Sequence, residues 1–258
     1  MGEESEVAMP RLRAMLPSWV ACAELLGEPP DATVTAAASL TGGDERTRPG
    51  SGRFPSVTGV NCGTDGTGGT GGDVVVAGVR VAAMAGATPA RRRAFAAGRA
   101  CAAEALRLLG VPAGPIPRGA QGAPVWPPGV TGSITHCPGY TAAAAARDGT
   151  IIGVDAEPCL PVPQGVLSRI AAPAEIEGLE RLAVPHPGRL LFSAKESVYK
   201  ACFPMTGRRL GFLDAEVVFD PAGRFTARLT GPGPRRLEGR WTVADGLALT
   251  AIAMPRPD

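Results

Sequence analysis

The stretch VTGSITHCPGYTAAAAARDGTIIGVDAE, Val130–Glu157, reads as three short strands in succession. Val130–His136 and Tyr140–Ala146 are rich in β-branched and small apolar residues, and Asp148-Gly149 marks a tight turn before Thr150–Glu157. An Asp-Gly pair between two such runs predicts a hairpin, which puts Gly153–Glu157 (GVDAE) on its second strand. Side chains alternate along a strand, so Asp155 and Glu157 project from one face, about 6.5–7 Å apart along the backbone, and Ala156 from the other. Two carboxylates at that spacing reach one cation.

Outward from this stretch the polar chemistry continues. Downstream, Leu191, Phe192, Val198, Tyr199 and Cys202 recur at helical spacing, and Pro204 is expected to close the helix soon after. The segment Phe192–Lys200 (FSAKESVYK) then places Glu196 and Lys200 at i and i+4 on one face. Alone, that pair reads equally well as a surface ion pair, and Ser193-x-x-Glu196 as a capping box. The wider setting is more telling. The chain has only two lysines, Lys195 and Lys200, and both flank Glu196; its two tyrosines, Tyr140 and Tyr199, and one of its two histidines, His136, fall in these same stretches. Three carboxylates, an imidazole and an ammonium are what divalent-metal phosphate chemistry requires.

Upstream, Thr88 suits an N-cap and Pro89 the first helical position, and Phe95, Ala102, Leu106 and Leu109 follow at helical spacing until Gly110. The first turns carry Arg91, Arg92, Arg93 and Arg99. These form either a solvated face or a seat for a polyanionic ligand. Later strands are expected at Leu213–Phe219, Phe225–Leu229 and Leu247–Ala253, and a short amphipathic segment over residues 15–32.

Composition excludes several classes. With 258 residues and 45% hydrophobic content the chain can bury a core as one large or two modest domains. A formal charge of +2 without a basic tract argues against a nucleic-acid partner. Six cysteines lie far apart with no CxxC pair, so neither a zinc site nor a dense disulfide framework is indicated. No signal-peptide core and no apolar run of the ~20 residues a membrane span needs is present, so a cytoplasmic protein with no membrane partner is expected. The tract 41–73 is Gly/Thr/Ser-rich and reads as a flexible insert. Its Gly66–Gly71 match to GxGxxG lacks the strand before and helix after that a dinucleotide site needs.

The order W-P-x-G-V-x-G-S-I-T-H-C (Trp126–Cys137), G-V-D-A-E-P (Gly153–Pro158) and F-S-A-K-E-S-V-Y-K-A (Phe192–Ala201) closely resembles the 4′-phosphopantetheinyl transferases of the surfactin- and enterobactin-synthetase-activating type. The likeness runs from about Thr88 to the end, through R-R-R-x-F-x-x-G-R (Arg91–Arg99), and returns faintly over Leu16–Ala32. It implies an α+β fold, a pseudo-two-fold pair of similar subdomains with the active site in the cleft between them. The halves would be residues 15–154, carrying the insert 41–73, and 155–258, after a flexible tail over 1–14.

The resemblance also implies a reaction. The phosphopantetheine arm of coenzyme A moves to a serine of an apo acyl- or peptidyl-carrier protein, releasing 3′,5′-ADP. Mg²⁺ would be held by Asp155, Glu157 and Glu196. Glu196 would also serve as general base, Lys200 would donate to the phosphate oxygens, and His136, with Thr135 beside it, would contact the coenzyme phosphates. Arg91, Arg99 and Arg118 match basic positions that grip the nucleotide end. Thr141 and Ala94 depart from the family pattern, which often has Arg and Glu there. A monomer is expected. The alternative from another class is a metal-dependent phosphoesterase or nucleotidyl enzyme that uses the same carboxylates without an acceptor protein.

Overall fold

The protein is described here by a computed structural model covering residues 11–27, 33–37, 74–76, 79–81, 87–112 and 114–257. Both the insert 41–73 and the first ten residues fall outside the described residues. The chain begins with helix α1 (Arg11–Met15) and strands β1 (Ala21–Leu26), β2 (Thr33–Ala37), β3 (Val74–Val76) and β4 (Val79–Val81). Helix α2 (Pro89–Leu108) follows, then β5 (Val130–Cys137), β6 (Tyr140–Arg147) and β7 (Thr150–Pro158). Helices α3 (Leu167–Ile170), α4 (Pro173–Glu180) and α5 (Pro187–Thr206) lead into β8 (Ala215–Asp220), β9 (Arg224–Leu229), β10 (Arg236–Ala244) and β11 (Leu247–Pro255).

The architecture is α+β with two main antiparallel sheets, ordered β2-β1-β6-β5 and β7-β11-β10-β9-β8, and a two-stranded ribbon β3-β4. Each main sheet packs against one twenty-residue helix, α2 on the first and α5 on the second. The two halves are thus built alike.

Helix α2 starts as its sequence requires. Thr88 accepts from Arg91 N at 3.3 Å, Pro89 occupies the first turn, and Gly110 leaves the helix at φ +66°. Its buried side is almost all small: Ala97, Cys101, Ala102 and Ala105, with Leu106, lie on Ala21, Ala23, Leu25, Ala143 and Ala145. A second core lies between the sheets, where Cys22, Tyr140, Ala142, Ala144 and Ala146 meet Ile152, Val154, Ala156, Leu247 and Leu249. A third joins α5, through Leu190, Leu191, Ala194 and Val198, to Phe225, Ala227, Leu237 and Ile252. Each of these fully buried leucines contributes roughly 1.5–3 kcal/mol by leaving water.

The expected hairpin of β6 and β7 does not form. β6 is already flanked by β1 and β5, so it has no free edge, and β7 pairs with β11 instead. The Asp148-Gly149 turn therefore carries the chain from one sheet to the other, a few residues before the 154/155 division. β5 meets β7 by side chains. Ser133 Oγ accepts from Val154 N at 3.1 Å and Thr135 Oγ1 from Ala156 N at 2.9 Å, so two hydroxyls do the work of a ladder. Gly132, between Trp126 and β6, explains part of the Trp126–Cys137 motif: a Cβ there would stand 2.5 Å from the indole and 2.6 Å from Ala144 O.

Three further expectations are corrected. Residues 11–14 belong to α1 rather than to a tail, since Leu12 is fully buried and its N–H donates to Glu24 Oε1 at 2.6 Å. The segment 15–32 is not one element: α1 ends at Met15 and half of the remainder described is strand β1. Pro204 lies inside α5 and does not close it, and the helix ends at Gly207 with φ +63°. Strand β10, not expected as an element, occupies the sheet between β9 and β11.

Candidate active site

The site is assembled by a glycine. A Cβ at Gly153 would lie 2.0 Å from Ser197 O and 2.8 Å from Ala201 N, so only glycine lets α5 lie directly on β7. Ile152, Val154 and Ala156 turn to the inter-sheet core, which leaves Gly153, Asp155 and Glu157 on the α5 side. The sequence expectation that Asp155 and Glu157 share a face agrees with this alternation.

Lys200 Nζ donates to Asp155 Oδ1 at 2.6 Å and to Val154 O at 3.1 Å. Thr135 Oγ1 donates to the same Oδ1 at 3.3 Å while accepting from Ala156 N. The lysine thus binds across to β7, and the expected pairing with Glu196 gives way to one with Asp155. Asp155 is 4% exposed, and its Oδ2 is buried with no hydrogen-bond partner. An orphaned carboxylate oxygen costs about 1–3 kcal/mol or more, a cost that a bound cation removes.

Glu157 and Glu196 are each half-buried. Burial first, then the negative charge of Asp155, raises the pKa of both above the usual carboxylate range. Arg189 and Lys200 oppose the shift at Glu157, Lys200 and Arg209 that at Glu196. Asp155 is therefore the common electrostatic neighbour of the other two acids. As they stand, no three His, Cys, Asp or Glu groups among the described residues are close enough to hold a metal. Glu157 Oε2 is instead drawn to Arg189 Nη1 at 3.1 Å. The donor set fits a hard divalent cation in chemistry and charge, with the side chains still to close around it.

The capping role suggested for Ser193 by its spacing does not hold. Ser193 is fully buried in mid-helix and bonds Thr250 Oγ1 at 3.0 Å, so it caps nothing. Lys195, five residues and about 140° around the helix from Lys200, is 4% exposed and donates to Glu175 Oε2, Phe212 O and Ala215 O at 2.8, 2.8 and 2.9 Å. It is a structural lysine.

His136 keeps an exposed edge next to Thr135. Desolvation by the surrounding protein, then Lys200 and Arg91, lowers its pKa against the pull of Asp155, so the ring is neutral at pH 7. Arg91, exposed on the first turn of α2, thereby belongs to the same electrostatic field. Arg99 and Arg118 form a second basic pair. Arg99 is 6% exposed, donates from Nε to Ile116 O at 2.7 Å and lies 4.4 Å over the Phe95 ring. Its Nη2 is buried and unpartnered, and burial followed by the charge of Arg118 pushes its pKa down to about 10. Two guanidiniums that repel one another without a counter-charge among the described residues suit an anion.

A cavity of 230 Å³ beside Glu196 is lined by Tyr199, Arg209, Leu210 and Phe212. A larger groove of 430 Å³ lies on the outer face of β8–β10 and includes none of these acids. Arg189 and Arg209 were not singled out by sequence. Arg189 precedes Glu196 by seven residues, two helical turns, and that spacing was the available signal.

Residues 80–146 match the 4′-phosphopantetheinyl transferase N-terminal domain, and residues 151–252 the 4′-phosphopantetheinyl transferase superfamily. The chain belongs to the 4′-phosphopantetheinyl transferases and is an enzyme of that class. It is 52% identical over 188 residues to 4′-phosphopantetheinyl transferase Svp of Streptomyces mobaraensis, covering 67% of this chain and 76% of that protein. Similarity to PptT of Mycobacterium tuberculosis is 46% over 180 residues, 64% of this chain and 79% of the relative. Npt of Nocardia iowensis is 44% identical over 182 residues, 63% and 82% of the two chains.

Proposed function

We propose that the protein transfers the 4′-phosphopantetheine arm of coenzyme A to a serine of an apo acyl- or peptidyl-carrier protein, with Mg²⁺ held by Asp155, Glu157 and Glu196. The observation that carries this reading is the bare, buried Oδ2 of Asp155, beside two acids whose pKa values are raised first by burial and then by its charge. Bound there, the cation would neutralise charge on the diphosphate.

The residues of the chain then divide the work. Glu196 takes the proton of the carrier serine, and its raised pKa brings it nearer the working pH of a general base. The serine oxygen bonds to the phosphorus that bears pantetheine, and the bond from that phosphorus to the departing phosphate oxygen breaks, releasing 3′,5′-ADP. Lys200, steadied by Asp155 and Val154 O, donates to phosphate oxygens. Neutral His136 donates one hydrogen bond to the diphosphate without adding charge, and the Thr135 hydroxyl fixes Asp155. Arg91, Arg99 and Arg118 hold the nucleotide end, where the 3′-phosphate brings a further dianion.

Mass spectrometry of an apo carrier tests this directly. The transfer adds about 340 Da to the carrier serine only when Mg²⁺ and coenzyme A are both present. Cleavage of coenzyme A at full rate without a carrier would instead establish the phosphoesterase reading. Glu196→Ala should abolish transfer and leave melting near that of the unaltered protein, because a half-buried helical position accepts Ala.

A further inference from the structure

Arg189 sits on the first turn of α5 with its guanidinium fully engaged. Nη1 pairs with Glu157 Oε2 at 3.1 Å, Nε donates to Leu160 O at 3.1 Å and Nη2 to Pro161 O at 3.0 Å, while the group lies 5.8 Å from the centroid of the Phe192 ring. The two charged side chains are 17% and 22% exposed, so water screens them only in part. Each guanidinium nitrogen thus already has a partner within the chain. What it holds is one member of the carboxylate set.

Two effects oppose each other here. Fixing Glu157 in place would raise cation affinity if the fixed position were the ligating one, whereas a guanidinium on the carboxylate lowers its attraction for a second cation. With Glu157 Oε2 on Arg189 Nη1, a cation could take that oxygen only by displacing a like charge, so the charge effect prevails. We propose that Arg189 and the divalent cation compete for Glu157. Arg189 is a positioning residue: it holds the carboxylate in a resting ion pair and keeps the affinity for a free cation low. The anionic diphosphate of the coenzyme offsets the guanidinium, so the ligand set completes when substrate and cation arrive together. This inference rests on the metal reading of Asp155, Glu157 and Glu196.

Titration of the whole protein with Mn²⁺ alone, followed by the paramagnetic resonance of the unbound ion, tests it. Arg189→Gln should bind Mn²⁺ about three- to tenfold more tightly than the wild type, the scale of a partly shielded ion pair. Arg189→Lys keeps the charge beside Glu157 and should stay within about twofold. A purely structural role predicts the reverse for Arg189→Gln, weaker binding with a loosened 158–161 loop. Equal or weaker binding by Arg189→Gln, while Asp155→Asn loses the ion, overturns the inference and leaves the metal reading intact. No binding by the wild type or Arg189→Gln, or undiminished binding by Asp155→Asn, overturns both. Should Arg189→Gln fail to fold, the wild type decides: its Arg189 Nε–H resonance must move as Mg²⁺ saturates the site, and an unmoved resonance overturns the competition.

Discussion

Among the described residues each half of the molecule buries one glutamate, and the two are treated in opposite ways. Glu175 of the second half, 4% exposed, takes Lys195 Nζ at 2.8 Å and the N–H groups of Ala172 and Val217 at 2.7 Å, so both oxygens have donors and one donor is ionic. Glu24 of the first half, 1% exposed, has Leu12 N and the Tyr140 hydroxyl on Oε1 and nothing on Oε2. Asp155 stands between these cases: a lysine on one oxygen as at Glu175, a bare oxygen as at Glu24. The difference separates three uses of a buried acid. A fully paired one ties α4 to α5 and β8, a bare one sealed in a core responds to pH, and a half-paired one beside further acids can take a cation.

The largest effect expected is at the paired acid. Lys195→Ala leaves Glu175 charged without its cation and frees the carbonyls of Phe212 and Ala215, which should cost about 3–5 kcal/mol in urea unfolding. Adding Glu175→Gln should recover much of that loss, because it removes the orphaned charge; an additive double variant would deny the coupling. Lys200→Ala supplies the contrast. Its side chain is 26% exposed and its partner lies at the site, so transfer to a carrier should fall about 10²-fold, on the scale of one lost electrostatic donor. Stability should fall by less than in Lys195→Ala, because Asp155 keeps the Thr135 hydroxyl and Lys200 is not sealed from water. Equal losses of stability in the two lysine variants would erase the distinction between them.

The sequence distinguished these lysines only in part. Both flank Glu196, and the i+4 relation read alone as a surface ion pair; the family resemblance placed Lys200 in the site and left Lys195 without a task. The partner of Lys195 is a glutamate on another helix, twenty residues away, and local spacing contains no trace of it. Helix α2 was legible because its cap, its proline and its stopping glycine are all local signals. The strands β5, β6 and β7 were legible as strands, yet their pairing was misread: an Asp-Gly turn reports a tight reversal and not which edges remain free. The acids of GVDAE were placed on one face by period-2 alternation. The reason α5 comes down on them is the missing side chain of Gly153, whose meaning emerges only once Ser197 O is seen to fill the space.

The smallest effect concerns Glu24, and its sign follows from its surroundings. Burial raises its pKa above that of an unfolded glutamate, and the Tyr140 hydroxyl, the backbone N–H groups of Leu12 and Arg13 and the charge of Arg11 reduce the rise without cancelling it. The folded chain then holds the proton more tightly than the unfolded one. The stabilising contribution is complete below the unfolded value of about 4.3 and is lost as pH climbs through the raised folded value. Tyr140 does not interfere, since burial pushes its own pKa far above this window and the hydroxyl stays protonated. Glu24→Gln keeps the shape and the acceptor for Leu12 N but cannot ionise. Its unfolding free energy should therefore gain on that of the wild type as pH rises above the unfolded value, and level once the folded glutamate is fully ionised, by about 1.4 kcal/mol for every tenfold difference in proton affinity between the folded and unfolded glutamate. A difference that stays constant over this range would mean that Glu24 titrates as it does in the unfolded chain, and that the contrast with Glu175 lies in hydrogen bonding alone.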